Sequence, residues 1–149
     1  MLRKLILGAI ASVALALSTT VYAQAQSGTA AEAKAMLEKA AAAVKADKTK
    51  ALDMFNKGEG GFKDRDLYPF CFNISDGIAT AGPVKGKDVR TLKDATGKAF
   101  GEEIYKAAED GKINEVSYMF PRPGQTEAVA KVSFVTKAGD QGCGVGYYK

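Results

Sequence analysis

The stretch INEVSYMFPRPGQTEAVAKVSFVTKAGDQGCGVGYYK, residues 113–149, carries the strongest structural pattern in the chain. Apolar and polar residues alternate at 113–120 and again at 128–136, and a third apolar segment occupies 142–148. Such alternation is typical of strands that bury one face. Short turns containing proline or glycine join the three segments, so we predict consecutive antiparallel strands.

Upstream of this stretch, the sequence predicts two more strands and a helix. The strands lie at 67–74 and 78–81, with a turn at Ser75-Asp76-Gly77 between them. Because proline cannot donate to a strand ladder, Pro69 is expected to mark the strand's entry or an unpaired stretch. The helix, at about 100–111, has its apolar residues three and four positions apart, and so forms an insertion after the second strand.

The chain begins its folded part with a long helix. Thr29-Ala30-Ala31-Glu32 is a capping-box pattern that starts a helix. An apolar stripe follows, made of Met36, Leu37, Ala40, Ala41 and Val44. Asp47 is predicted to cap a continuation that ends at Gly58. A long helix leading an antiparallel sheet indicates an α+β domain; a coiled-coil arm is the alternative for the helix.

Residues 1–23 have the pattern of a secretory signal peptide. Two basic residues precede an uncharged run at 5–17, and Val21-Tyr22-Ala23 provides a small-residue cleavage site. An uncleaved anchor is the alternative, but a membrane-spanning helix needs about 20 apolar residues. We therefore expect export to the periplasm of one mature domain, residues 24–149.

The composition excludes several kinds of site. The 149 residues include no His and only two Cys, so a Ser-His or Cys-His nucleophile and a four-thiolate metal centre are excluded. Without the signal peptide the chain has 19 basic and 17 acidic residues, interspersed along the sequence. Nucleic-acid-binding surfaces instead concentrate one sign of charge on one face. We expect no metal, no cofactor and no nucleic-acid partner.

Cys71 and Cys143 would reach an oxidising compartment after export, where two lone thiols usually pair. We predict a disulfide, with two buried free thiols as the alternative. A bond across neighbouring strands would direct another set of side chains to the opposite face of the sheet. That set comprises Tyr68, Phe70 and Phe72, with Gly142, Gly144 and Gly146. The glycines either leave room for a ligand or accommodate bulky neighbours.

A series of short motifs between Phe62 and Tyr147 carries a family resemblance. The motifs are Phe62 with Asp66-Leu67-Tyr68, Ser75-Asp76-Gly77, Gly86-Lys87-Asp88, Leu92-Lys93-Asp94-Ala95-Thr96-Gly97, Val116-Ser117-Tyr118, Pro121 with Pro123, Lys131-Val132-Ser133, and Gly144-Val145-Gly146-Tyr147. In order and spacing they resemble the single Cache family of small extracellular sensor domains. The resemblance implies a long N-terminal helix on one face of a five-stranded antiparallel sheet. It places a small-molecule pocket on the other face, under residues 82–111.

The resemblance also implies a small metabolite as ligand, such as a carboxylate or an amino acid. The candidate ligand-binding residues are Tyr68, Phe70, Arg90, Asp94, Tyr118, Phe120, Lys131 and Ser133. Lys131 either anchors an anion or extends to solvent, and Tyr118 is either a ligand contact or core packing. Arg90 and Asp94 either clamp the ligand or lie on the surface. Arg122, between two prolines, is expected in a solvated turn.

Three classes of function remain open for this sequence. Most domains of the resembled family lie between two membrane spans, whereas this chain ends on its last predicted strand. We therefore expect a free-standing periplasmic binding protein, monomeric or homodimeric, that could present its ligand to a membrane receptor or transporter. The alternative is an envelope structural or interaction module without a small ligand. An enzyme, such as a thiol oxidoreductase, is the third class and is not expected.

Overall fold

The computed structural model describes residues 26–149, so the predicted signal peptide lies outside the described part. The elements are helices α1 (Ala30–Ala46), α2 (Lys48–Lys57) and α3 (Phe100–Ala107), and strands β1 (Pro69–Asn73), β2 (Ala79–Ala81), β3 (Asn114–Pro121), β4 (Ala128–Ala138) and β5 (Gln141–Tyr148). A short 3-10 turn at Val89–Thr91 precedes α3. Among the described helices, none is both long enough and apolar enough to cross a membrane.

The five strands form one sheet in the order β2-β1-β5-β4-β3, and all neighbours are antiparallel. The predicted α+β architecture, with a helical insertion after the second strand, is confirmed. Strand β1 is shorter than the predicted 67–74. Its start moves to Pro69 because Asp64 and Leu67 exchange backbone hydrogen bonds in a turn of their own, 3.1 and 2.8 Å long.

The predicted helix signals at the start of the domain are confirmed. The Thr29 side chain accepts the Glu32 N–H, and the Glu32 carboxylate accepts the Thr29 N–H in return, at 2.8 Å. Asp47 then caps α2 by accepting the Lys50 N–H at 3.0 Å. Gly58 ends α2 with a φ of 69°, a conformation that glycine adopts without steric cost.

One face of the sheet packs against α1 and α2 around the disulfide. Cys71 in β1 lies directly opposite Cys143 in β5 and is bonded to it, with 4.1 Å between the Cα atoms. The predicted disulfide is confirmed, and the free-thiol alternative is wrong. Leu37 and Val145, both fully buried, belong to the same apolar cluster. The bond therefore joins two strands inside the core that α1 covers.

The opposite face of the sheet is covered by α3 and the segment leading to it. Phe72 and Val135 of the sheet pack with Phe100 and Ile104 of α3 in a second apolar cluster. Helix α3 contacts the preceding 3-10 turn so closely that a Cβ on Gly101 would lie 1.7 Å from a backbone oxygen of that turn. The sheet is thus enclosed between two layers, and the second layer forms the wall of a cavity.

The disulfide should contribute strongly to stability, since it joins residues 72 positions apart. Replacing both Cys71 and Cys143 by Ala should lower the free energy of unfolding by about 4 kcal/mol on the chain-entropy model. Thermal unfolding with and without a reductant measures the effect, and the double variant is the control that a reductant should not change. Equal melting of the reduced and oxidised wild-type protein would contradict the prediction.

Candidate ligand-binding site

The centre of the site is Lys131, in the middle of β4. Antiparallel pairing places it directly opposite Tyr118 of β3 and Tyr148 of β5, so the three side chains leave the same face of the sheet. Lys131 is 2% exposed. Of the two predicted arrangements, extension of the side chain to solvent is therefore wrong, because the ammonium lies inside the protein.

Aromatic rings surround the Lys131 ammonium. Its Nζ lies 4.5 Å from the ring centre of Tyr68, 4.9 Å from that of Tyr148 and 5.0 Å from that of Phe120. It donates a hydrogen bond to the Tyr68 hydroxyl at 2.9 Å. Ring faces attract cations, but more weakly than a carboxylate does in a buried site. None of the described carboxylates comes within ion-pair distance of this lysine.

Burial controls the protonation of these groups. It lowers the pKa of Lys131 to about 7, from an ordinary value of 10.5, while the negative charge of Asp66 acts in the opposite direction. Burial also raises the pKa values of Tyr68 and Tyr118, so both hydroxyls stay neutral. The Tyr118 hydroxyl is hydrogen bonded to Ser133 at 2.8 Å. At neutral pH the site therefore offers one partly protonated amine among neutral hydroxyls.

A small cavity of about 30 Å³ lies between this group and the helical layer. Its polar contributors are Lys131, Tyr68 and Tyr118, and the side chains from the 82–111 segment that line it are apolar: Pro83, Val84, Val89, Leu92, Phe100 and Ile104. This volume holds about one water molecule. A larger ligand requires the wall formed by residues 82–111 to move outward.

Most of the predicted ligand-binding residues come together here. Those that line the cavity are Tyr68, Phe70, Tyr118, Phe120 and Lys131, and Ser133 adjoins them through Tyr118. Arg90 is not among the described residues that line it. Its guanidinium pairs with Asp88 at 2.7 Å and donates to the Asp76 carbonyl at 2.7 Å. Arg90 therefore holds a surface turn, as its surface alternative predicted.

Asp94 is also outside the cavity wall, but it fastens that wall to the sheet. Its carboxylate accepts the hydroxyl of Thr96 at 2.6 Å and the backbone N–H groups of Lys98 and Met119 at 3.1 and 3.0 Å. These hydrogen bonds, with the Thr96 hydroxyl first, lower the pKa of Asp94 to about 2. Met119 belongs to β3, so Asp94 ties the segment before α3 to the edge of the sheet.

The glycines of β5 mainly accommodate neighbouring side chains. A Cβ on Gly144 would lie 2.3 Å from the ring of Phe70, and Gly142 meets the next phenylalanine in the same way. A Cβ on Gly146 would lie 2.2 Å from the Lys131 side chain. Gly142 and Gly144 thus accommodate bulky neighbours, which is one of the two predicted alternatives. Gly146 lets the lysine stem lie against the strand.

Three residues of this region were missed by the sequence predictions. Asp66 is 6% exposed; its Oδ1 accepts the Gly28 N–H at 2.7 Å, whereas its buried Oδ2 has no hydrogen-bond partner among the described residues. Arg122 approaches Oδ2 at 3.6 Å and places its guanidinium 5.0 Å from the Tyr148 ring. The expectation of a solvated turn at Arg122 is therefore wrong. Strand alternation along β5 would have revealed Tyr148, two positions beyond Gly146.

The arrangement is that of an α+β domain with a buried cation at a small apolar cavity, a form suited to binding a small molecule. The family model for single Cache domain 2 matches residues 2–147, and the chain belongs to this family. Its members are extracellular or periplasmic sensor domains for small molecules, as the resemblance implied. A comparison with curated proteins gives no significant match.

Solved structures share the fold at low sequence identity. A methyl-accepting chemotaxis protein from Vibrio parahaemolyticus aligns with a TM-score of 0.63 and 22% identity, over 79% of this chain and 86% of that one. The periplasmic sensor domain of a chemotaxis protein gives 0.60 and 22%, over 77% and 86%. A Cache chemosensory domain described for carboxylic acid recognition gives 0.64 and 20%, over 79% and 91%.

The buried amine predicts a distinctive pH dependence of stability. Because the pKa of Lys131 is about 7 when folded and ordinary, 10.5, when unfolded, the unfolded chain binds the extra proton between these values. The free energy of unfolding should therefore rise with pH across that window, by at most about tenfold in the equilibrium constant per pH unit. Below pH 7 the lysine is charged in both states and this contribution is flat.

Thermal or urea unfolding of the wild type and of Lys131→Met from about pH 6 to 10 measures this dependence. The variant keeps an unbranched side chain that is one atom shorter and lacks the titrating group, so the difference between the two curves isolates Lys131. Parallel curves across the whole range would contradict the buried, deprotonating lysine.

Proposed function

We propose that this protein is an exported sensor-type binding domain whose ligand is a small carboxylate held by Lys131. The observation that carries the proposal is a buried ammonium at the wall of an apolar cavity, without ion-pair contact to any carboxylate of residues 26–149. Burying a charge without a counter-ion costs free energy, and an anionic ligand would offset that cost. The hydroxyl of Tyr68 lies next to the ammonium and offers a second hydrogen bond.

The chemistry of the wall favours a monocarboxylate with a short apolar tail over an amino acid. Among the described side chains that line the cavity there is one cation and no carboxylate that could bind an ammonium group. Val84, Leu92 and Ile104 offer apolar contacts to a tail. One solved structure of the same fold is described for carboxylic acid recognition, which is consistent with this class.

Export and presentation to a membrane receptor or transporter complete the proposal. The Cys71–Cys143 disulfide supports an oxidising compartment, where such bonds persist. A second candidate function is an envelope interaction module without a physiological small ligand. The small volume of the cavity, about 30 Å³, favours that candidate, because its own side chains nearly fill the space.

A thermal-shift screen of residues 24–149 against short monocarboxylates, dicarboxylates, amino acids and amines tests the proposal. A ligand at 100 times its dissociation constant should add about 2.7 kcal/mol of stability, a rise on the order of 10 °C. We expect the response from monocarboxylates. Lys131→Met should lose it, because the methionine occupies the space of the lysine stem and lacks the ammonium group.

Lys34→Met is the matched control, since Lys34 lies exposed on α1 and its replacement removes the same charge. If the ligand stabilises Lys131→Met and Lys34→Met equally, Lys131 is not part of the site. If the folded wild type responds to no compound in the panel, the binding-protein proposal is rejected and the interaction module is favoured. Crosslinking in the envelope should then capture the partner of that module.

A further inference from the structure

Asp66 and Lys131 are the two charged side chains that the described part of the chain buries. They carry opposite charges and yet form no ion pair, since the Lys131 ammonium contacts rings and the Tyr68 hydroxyl instead. In the sequence, Asp66 lies two positions before Tyr68. The Arg122 guanidinium, which lies 3.6 Å from Asp66, and the Lys131 ammonium lie 5.0 and 4.9 Å from the centre of the same Tyr148 ring. The three charges therefore belong to one group around that ring, where solvent screens them little.

The Oδ2 oxygen of Asp66 also supports an interaction between Asp66 and Lys131. Its Oδ1 accepts the Gly28 N–H, whereas the buried Oδ2 has no hydrogen-bond partner within the described part of the chain and has the Arg122 Nε at 3.6 Å. A buried carboxylate oxygen in this state is costly unless positive charge nearby compensates it. Arg122, 27% exposed, compensates it from the solvent side, and Lys131 is the cation available from the protein interior.

We infer that Asp66 is the internal counter-charge of Lys131, which favours the protonated form of the lysine and so supports the binding of an anion. Asp66 is thus a positioning residue that acts through Lys131 without lining the cavity. The inference rests on the proposed function, because it concerns the same lysine. The negative charge of Asp66 raises the pKa of Lys131 against the effect of burial, in agreement with this role.

The other groups around the lysine do not compete for this role. Tyr68, Tyr118 of β3 and Tyr148 of β5 face it as neutral phenols, because burial raises their pKa values. The 82–111 segment contributes only apolar side chains to the cavity wall. Arg122 opposes Asp66, since its positive charge both neutralises the carboxylate and repels the lysine.

Titration of the Lys131 side chain by NMR in ligand-free protein with isotope-labelled lysine tests the inference. The Lys131 signal is assigned by its absence in Lys131→Met. Asp66→Asn keeps an oxygen for the Gly28 N–H but removes the charge, and should lower the Lys131 midpoint by about one pH unit. Arg122→Gln should raise it. Opposite shifts from two neighbouring substitutions are not what a merely structural role would produce.

Asp64→Asn is the matched control, because Asp64 is an exposed carboxylate two positions away that pairs with Arg65. An unchanged midpoint in Asp66→Asn, or an equal shift in Asp64→Asn, would overturn the inference. If Asp66→Asn does not fold, Asp66→Ser replaces it, because the serine hydroxyl oxygen can accept the Gly28 N–H without a charge: a lowered Lys131 midpoint supports the inference and an unchanged one refutes it.

The titration needs no ligand, so its outcome stands even if the carboxylate screen fails. Should the screen succeed, propionate binding provides a second readout. Asp66→Asn should then bind propionate with a several-fold lower affinity at neutral pH and with wild-type affinity at acidic pH, where Lys131 is protonated in both proteins. If Asp66→Asn and the wild type bind propionate with equal affinity at both pH values, the role of Asp66 is refuted, whereas carboxylate binding by the protein stands.

Discussion

The pairing of β1 with β5 is the constraint on which the rest of the structure depends. Residues 72 positions apart are joined there by the Cys71–Cys143 bond, which fixes the register of the two strands. Because side chains alternate along a strand, this register assigns every neighbouring residue to one of two faces. The cysteine face receives α1, and the opposite face, with Phe70 opposite Gly144, receives the cavity.

The position of β5 also explains how a lysine can be buried. As the last strand of the chain lies in the middle of the sheet, β4 has a partner on both sides, and Lys131 is enclosed by tyrosines from each. Gly146 provides the space for the lysine stem. The aliphatic stem is easily buried, whereas the ammonium is not, so the energetic cost concentrates at the atom that faces the cavity.

Local patterns in the sequence were sufficient for the elements and for the two faces of the sheet. The capping box at Thr29, the cap at Asp47 and the cysteine pairing depend on short-range chemistry or on strand alternation, and all were predictable. The cavity residues on strands, such as Tyr68 and Tyr118, followed from the same alternation together with the family resemblance.

Residues in turns were harder to place, because their partners come from distant segments. For Arg90 and Asp94 the sequence leaves open a ligand contact or a surface position, and it does not indicate the groups that the folded chain brings to them: the Asp76 carbonyl and the Met119 N–H. Arg122 was assigned to solvent because two prolines flank it, yet it lies against Tyr148 and Asp66. The periodicity of apolar residues in the sequence does not indicate contacts of this kind.

Residues 65–68 connect the cavity with the start of α1. Arg65 pairs with Glu32 in the first turn of the helix, Asp66 accepts the Gly28 N–H, and Leu67 occupies the space beside Gly28. The next residue, Tyr68, accepts a hydrogen bond from Lys131. Since these residues are consecutive, a displacement of Tyr68 by a ligand would act directly on the backbone that anchors α1. The site is thereby linked to the other face of the sheet through one short segment.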